Sequence, residues 1–139
     1  MIYLDLVLNK IENNYNTKLK KLSRKKIIFE GIIKNNKKLV LLTSKSKIHK
    51  NGRAWIDINK KQVDILYNYD IAIIVFRIEN YGCFLINFME LKSYLNDDNM
   101  IINSKEGEHW KLHISPNESV VFIQGSKILL FLKHFKAIE

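Results

Sequence analysis

Fifteen lysines and arginines fall between positions 18 and 61, against only two acids, Glu30 and Asp57, a local balance of +13. The other residues carry eight basic and twelve acidic groups, a balance of −4, so this stretch more than accounts for the chain's net +9. Lys20, Lys21, Arg24, Lys25 and Lys26 open it, and Lys37 and Lys38 follow. Lys45, Lys47, His49, Lys50 and Arg53 form a second group, and Lys60 and Lys61 close it. An ammonium group suits a backbone phosphate as a point charge, whereas the bidentate reading of a base edge favours arginine. With twenty lysines to three arginines, the expected chemistry is sequence-tolerant binding of DNA or RNA that weakens steeply with salt. Richness in lysine and asparagine also resembles an AT-rich coding sequence. Such drift would raise lysine everywhere, yet the C-terminal half is mildly acidic.

Other reactive side chains offer less. His49, set among four cations, reads as a phosphate contact or as part of a solvated turn. His109 and His113 share a strand face at a spacing of four, but no third ligand accompanies them, so packing is favoured over zinc. His134 reads as structural. Cys83 is the only cysteine, which excludes an intrachain disulfide and a cysteine-based zinc site and suits a reducing, cytoplasmic setting. Trp55 and Trp110 could stack on unpaired bases, but their alternation with polar neighbours favours two core anchors. No phosphate-cradling glycine motif or H-E-x-x-H is present.

These side chains need a scaffold, and 139 residues with a 47% hydrophobic fraction suffice for one domain spanning 1–139. An apolar stripe from Ile2 to Ile11 predicts an opening helix. Runs at 27–33 and 39–43, joined by a polar turn, predict a hairpin. Asn51-Gly52 marks a turn before a short strand at 53–58. Residues 71–76 form a continuous apolar run, expected as a strand buried on both faces, with 81–87 beside it. A short helix in MELKSYL precedes strands at 109–114 and 119–124, and an amphipathic helix is expected over 127–135. The fold class is thus α/β (α+β), a central mixed sheet flanked by N- and C-terminal helices. No run approaches the roughly 20 apolar residues of a spanning helix. The opening lacks a basic leader and a cleavage site, so no membrane association is expected.

The order of several segments carries more than any one of them. F-E-G-I-I stands at 29–33, K-L-V-L-L-T-S-K-S-K at 38–47 and G-R-A-W-I-D-I at 52–58. K-K-Q-V-D-I-L-Y-N-Y-D follows at 60–70, I-A-I-I-V-F-R at 71–77 and E-H-W-K-L-H-I at 108–114. This arrangement, over about two-thirds of the chain, resembles the PD-(D/E)XK superfamily and its restriction-endonuclease-like fold. The resemblance implies two carboxylates holding Mg²⁺ and a lysine supporting the nucleophile or the transition state. Glu30 falls at the first acid. With Thr43-Ser44 as anchor, however, the second acid falls on Val40 and the lysine on Leu42, and neither can bind metal or stabilise a phosphorane. A relocated centre would use Glu30 and Asp57 as metal ligands, with Lys45 (or Lys38 or Lys47) as the lysine.

The favoured expectation is a nucleic-acid-binding protein of nuclease-like fold with a degenerate centre and no cofactor, acting on nucleic acid or a nucleoprotein complex. A phage or mobile-element inhibitor of a host defence complex fits that description. The alternatives are an active Mg²⁺-dependent endonuclease and a protein inhibitor whose basic face docks on an acidic partner groove. A homodimer is compatible with the superfamily, although no heptad or exposed stripe argues for one.

Overall fold

A computed structural model describes residues 3–22 and 27–135. Helix α1, Leu4–Tyr15, buries Val7 and Ile11 completely and ends where Asn16 enters the left-handed region. A two-residue strand β1, Lys20–Lys21, leads to β2, Ile28–Ile33. The expected hairpin forms between β2 and β3, Lys37–Ser46, through a tight turn in which Asn35 and Asn36 both take positive φ. Asparagine tolerates that region better than other side-chain-bearing residues do. The segment leading into β1 passes so close to β2 that a Cβ on Gly31 would meet Thr17 Oγ1 at 2.8 Å and the Lys18 carbonyl at 2.9 Å.

Beyond β3 the chain changes layers. β4, Ala54–Asn59, alternates buried and exposed residues, so Ala54, Ile56 and Ile58 face inward while Trp55 and Asp57 face outward. Asn59 then caps α2, Lys60–Tyr67. Its side chain accepts from the Gln62 N–H at 2.8 Å, and Gln62 Oε1 accepts from the Asn59 N–H at 3.0 Å. This reciprocal box satisfies two amides that a helix start otherwise leaves unpaired. β5, Ile71–Ile78, lies parallel to β3, and β6, Gly82–Asn87, returns antiparallel to it. β5 is buried on both faces, as its unbroken apolar sequence requires. Short helix α3, Phe88–Leu91, follows.

The rest is β-structure: β7, Ile101–Asn103; β8, Gly107–Ser115; β9, Val120–Ile123; β10, Leu130–Phe131; and β11, Lys133–Phe135. Among the described residues the strands make two sheets. One is mixed, in the order β1-β2-β3-β5-β6-β11; the other is antiparallel, in the order β10-β9-β8-β4, with β7 paired to β8. Two cores result. Val7 and Ile11 of α1 pack on Leu39, Leu41, Ile73 and Val75 on one face of the mixed sheet. The opposite face, including Val40, Leu42, Ile74 and Phe76, packs against the antiparallel sheet, α2 and α3. The fold is therefore mixed α/β in one domain-sized unit, layered to bury both sheet faces.

Two expectations need correction. The mixed sheet is present as expected, but a second, antiparallel sheet, rather than helices alone, packs on one of its faces. The helix expected over 127–135 is replaced by β10 and β11. Leu130 and Phe131 pair with Val121 and Val120 of β9, whereas Lys133 to Phe135 pair with Leu85 to Cys83 of β6. A short apolar run fits either periodicity. Here the unpaired edges of β9 and β6 supply main-chain partners that an isolated two-turn helix lacks. Leu132, between the two strands, is buried, and its amide donates to the Ser119 carbonyl at 2.8 Å.

Candidate nucleic-acid interface

The layer change between β3 and β4 builds the site. Gly52 sits at φ 80°, and its amide donates to the His49 carbonyl. The Arg53 amide donates to Asn51 Oδ1 at 3.1 Å, and Ser46 Oγ donates to the Trp55 carbonyl at 2.8 Å. The turn thereby folds back on β4. It lays the imidazole of His49 on the indole of Trp55, with centroids 4.3 Å apart and planes inclined by 22°.

Register extends this pair across the antiparallel sheet. Trp55 of β4 is opposite His113 of β8, which is opposite Phe122 of β9. The three rings form one row on the outer face. Trp55 meets His113 edge-on at 6.1 Å, and His113 stacks on Phe122 at 4.8 Å with planes 9° apart. Two cations lie against the row, Lys111 Nζ 5.1 Å from the Trp55 ring centre and the Arg53 guanidinium 5.2 Å from that of Phe122. Such contacts hold a cation at an aromatic face while leaving its charge available. Trp55 remains 40% exposed.

His113 is the row's buried member at 8% exposure. Burial pushes its imidazolium below the usual histidine range, Arg53 and Lys111 push the same way, and the contact with Gln124 opposes them. Its Nε2 lies 3.1 Å from Gln124 Oε1. Its Nδ1 and the Nε of Arg53 are buried without a hydrogen-bond partner among the described residues. Next to this row, Lys45, Ser46, Lys47, His49 and Glu79 line an open pocket of about 310 Å³.

The expected basic residues do not all gather here. Lys45, Lys47, His49, Lys50 and Arg53 cluster at the C-terminal end of β3 and the following turn. Lys37 and Lys38 are exposed at its other end, about 23–26 Å from Lys45 along the strand. Lys20 and Lys21 occupy the sheet edge on β1. Lys60 and Lys61 are exposed on the first turn of α2, and Lys60 is paired with Asp64 at 3.0 Å. Arg24, Lys25 and Lys26 lie outside the described residues. The single basic face is thus resolved into separate groups, because a ten-residue strand holds its ends apart.

The carboxylates expected at a relocated metal centre are also kept apart. Glu30 shares its face of the mixed sheet with Ile28 and, through pairing, Val40, both part of the core between the sheets. Its Oε1 accepts the Tyr69 hydroxyl at 2.6 Å. Asp57 points away from that core, on the exposed side of the antiparallel sheet opposite Lys111. Lys45 is exposed at the end of β3. These donors do not fit a shared Mg²⁺, and no group of three or more His, Cys, Asp or Glu positioned for a metal occurs among the described residues. Val40 and Leu42 are buried in the core, and the adjacent Thr43 accepts the Arg77 Nε–H at 2.9 Å.

The two tryptophans separate. Trp110 faces inward at 3% exposure, and its indole N–H donates to the Asn96 carbonyl at 2.9 Å. Trp55 faces outward, which corrects the expectation of a core role for both. Lys111, Phe122 and Glu79 received no role from sequence. The alternation of Ala54, Ile56 and Ile58 contained the signal for Trp55, since those residues take the inward positions. No helix among the described residues is long and apolar enough to cross a membrane. No family model, curated protein or solved structure matches the chain.

Proposed function

We propose that this protein binds nucleic acid without cleaving it, and that it takes an unpaired strand on the outer face of the antiparallel sheet. The observation that carries this reading is the His49–Trp55 stack, with Trp55 exposed and His49 half-buried, flanked by Lys45, Lys47, Lys111 and Arg53. Aromatic faces accept any base, and nearby ammonium groups track the backbone, a combination suited to sequence-tolerant single-strand binding. Duplex DNA buries its base faces and would engage only the charges. The nuclease-like ancestry implied by the resemblance is retained as part of the proposal. On it, the centre is degenerate, because Val40 and Leu42 are core and Glu30 is held by Tyr69.

The test is fluorescence anisotropy with a short oligothymidylate and a matched duplex over a salt series. The unpaired strand should bind more tightly, with affinity falling linearly in log-log form as salt rises. Absence of binding in dilute buffer would sink the reading. Nicking of a plasmid in Mg²⁺ would overturn its non-catalytic half.

A further inference from the structure

Glu79 is an acid at the most basic end of the molecule. Its amide donates to the Ser46 carbonyl at 2.9 Å, continuing the pairing of β3 with β5 one residue beyond the sheet. Asn80 then turns with φ 72°. This fixes Glu79 beside Lys45 and Lys47 in the 310 Å³ pocket, yet its carboxylate lies within 4.0 Å of neither ammonium group. Among the described residues its side chain has no hydrogen-bond or ion-pair partner. A carboxylate and two lysines that share a pocket without neutralising one another are all available to a ligand.

The pocket specifies what that ligand must present. Its volume lies at the low end of the roughly 300–1,000 Å³ usual for small-ligand sites, and its walls are chiefly apolar atoms. His49, whose imidazole is stacked on Trp55, lines the pocket and offers a planar ring a stacking partner. At its polar side a carboxylate offers two acceptor oxygens and no donor. Guanine alone among the standard bases carries two adjacent donors on its Watson–Crick edge, N1–H and the N2 amine. Adenine and cytosine place an acceptor beside their amine, and thymine or uracil flanks its one N–H with two carbonyls. Any of these would set a lone pair against a carboxylate oxygen.

We propose that this pocket binds the guanine base of a nucleotide. The base stacks on His49, its Watson–Crick edge donates to Glu79, and its phosphate lies at Lys45 and Lys47. For a guanine within a strand, the inference rests on the binding reading above; a free guanine nucleotide offers the same chemistry.

The full-length chain is titrated with oligothymidylate, with the same strand carrying one central dG, dA or deoxyinosine, and separately with GMP and AMP. One dG should tighten binding by about fivefold or more, the discrimination a bidentate base contact supplies. Deoxyinosine, which lacks the N2 amine, should recover only part of that gain. Glu79→Gln should bring the ratio of dG-strand to dA-strand affinity close to one. Equal affinities for the dG and dA strands, with GMP no better than AMP, would overturn the inference. If oligothymidylate still binds in that case, the strand-binding reading survives alone. If GMP binds in preference to AMP while no strand binds, the pocket assignment stands and the strand-binding reading fails. A dG preference that persists in Glu79→Gln would also overturn the role of this carboxylate.

Discussion

The Tyr69 hydroxyl donates to Glu30 Oε1 at 2.6 Å, linking residues 39 positions apart at the edge of the core between the two sheets. Burial raises the Tyr69 phenol to about 12, and the hydrogen bond and charge of Glu30 add to the effect. The contact occupies the one carboxylate that the resemblance placed at a first metal-ligand position. In the relocated-centre reading, Glu30 would serve a metal through the lone pairs that the Tyr69 hydroxyl leaves free.

The first prediction concerns that pair. The folded phenol titrates above its ordinary value of 10.0, so the native state holds the proton more tightly than the unfolded chain. Stability from this source is fully present below about pH 10 and is lost as pH rises through about 12. Ultraviolet titration of the tyrosines should show one late-ionising group, absent in Tyr69→Phe. An unchanged titration curve in that variant would refute the assignment.

The tryptophans should respond in opposite ways. Trp110→Ala removes a buried indole and should cost about 3–5 kcal/mol in denaturant unfolding. Trp55→Ala should cost about 1 kcal/mol or less in stability, but should weaken oligonucleotide binding by about 1–3 kcal/mol through lost stacking. Iodide should quench Trp55 fluorescence and spare Trp110. Equal quenching of both would contradict the placement.

Charge removal distinguishes the two ends of β3. Replacing Lys45 and Lys47 together by alanine should reduce the salt slope of single-strand binding by about 1.4, or about 0.7 per lost phosphate contact. The same change at Lys37 and Lys38, about 23–26 Å from Lys45, should leave the slope of a short oligonucleotide nearly unaltered. If the two pairs act alike, the interface extends well beyond the 45–53 region.

His113 supplies a pH dependence. Burial, reinforced by Arg53 and Lys111, lowers its imidazolium from the ordinary 6.5. The unfolded chain then binds more protons than the folded one over this interval. The contribution to stability is present above 6.5 and is lost as pH falls through the depressed value. Proton NMR should find the His113 midpoint below 6.5. A bound oligonucleotide, by bringing phosphates near Arg53 and Lys111, should move it upward. A midpoint at or above the ordinary value in the free protein would show that the ring is solvated.

Local pattern was enough to locate most of the scaffold. The apolar stripe of α1, the hairpin of β2 and β3, the Asn-Gly turn and the doubly buried β5 each follow from forces between near neighbours in sequence. Those forces are side-chain periodicity, turn chemistry and the need to bury apolar surface. The concentration of cations before position 61 is likewise a property of the chain itself. The fate of residues 127–135 depended on distant partners, because K-I-L-L-F-L-K-H-F suits a helix until two open strand edges offer it main-chain hydrogen bonds. The separate fates of Trp55 and Trp110 arise from the register of β4 with β8, more than 50 residues away, and the pairing of β8 with β9 extends the row from His113 to Phe122. Charge follows the same division. Composition fixes how many lysines the chain carries, but the length and direction of β3 decide which of them share a surface, since field strength depends on distance in space rather than in sequence.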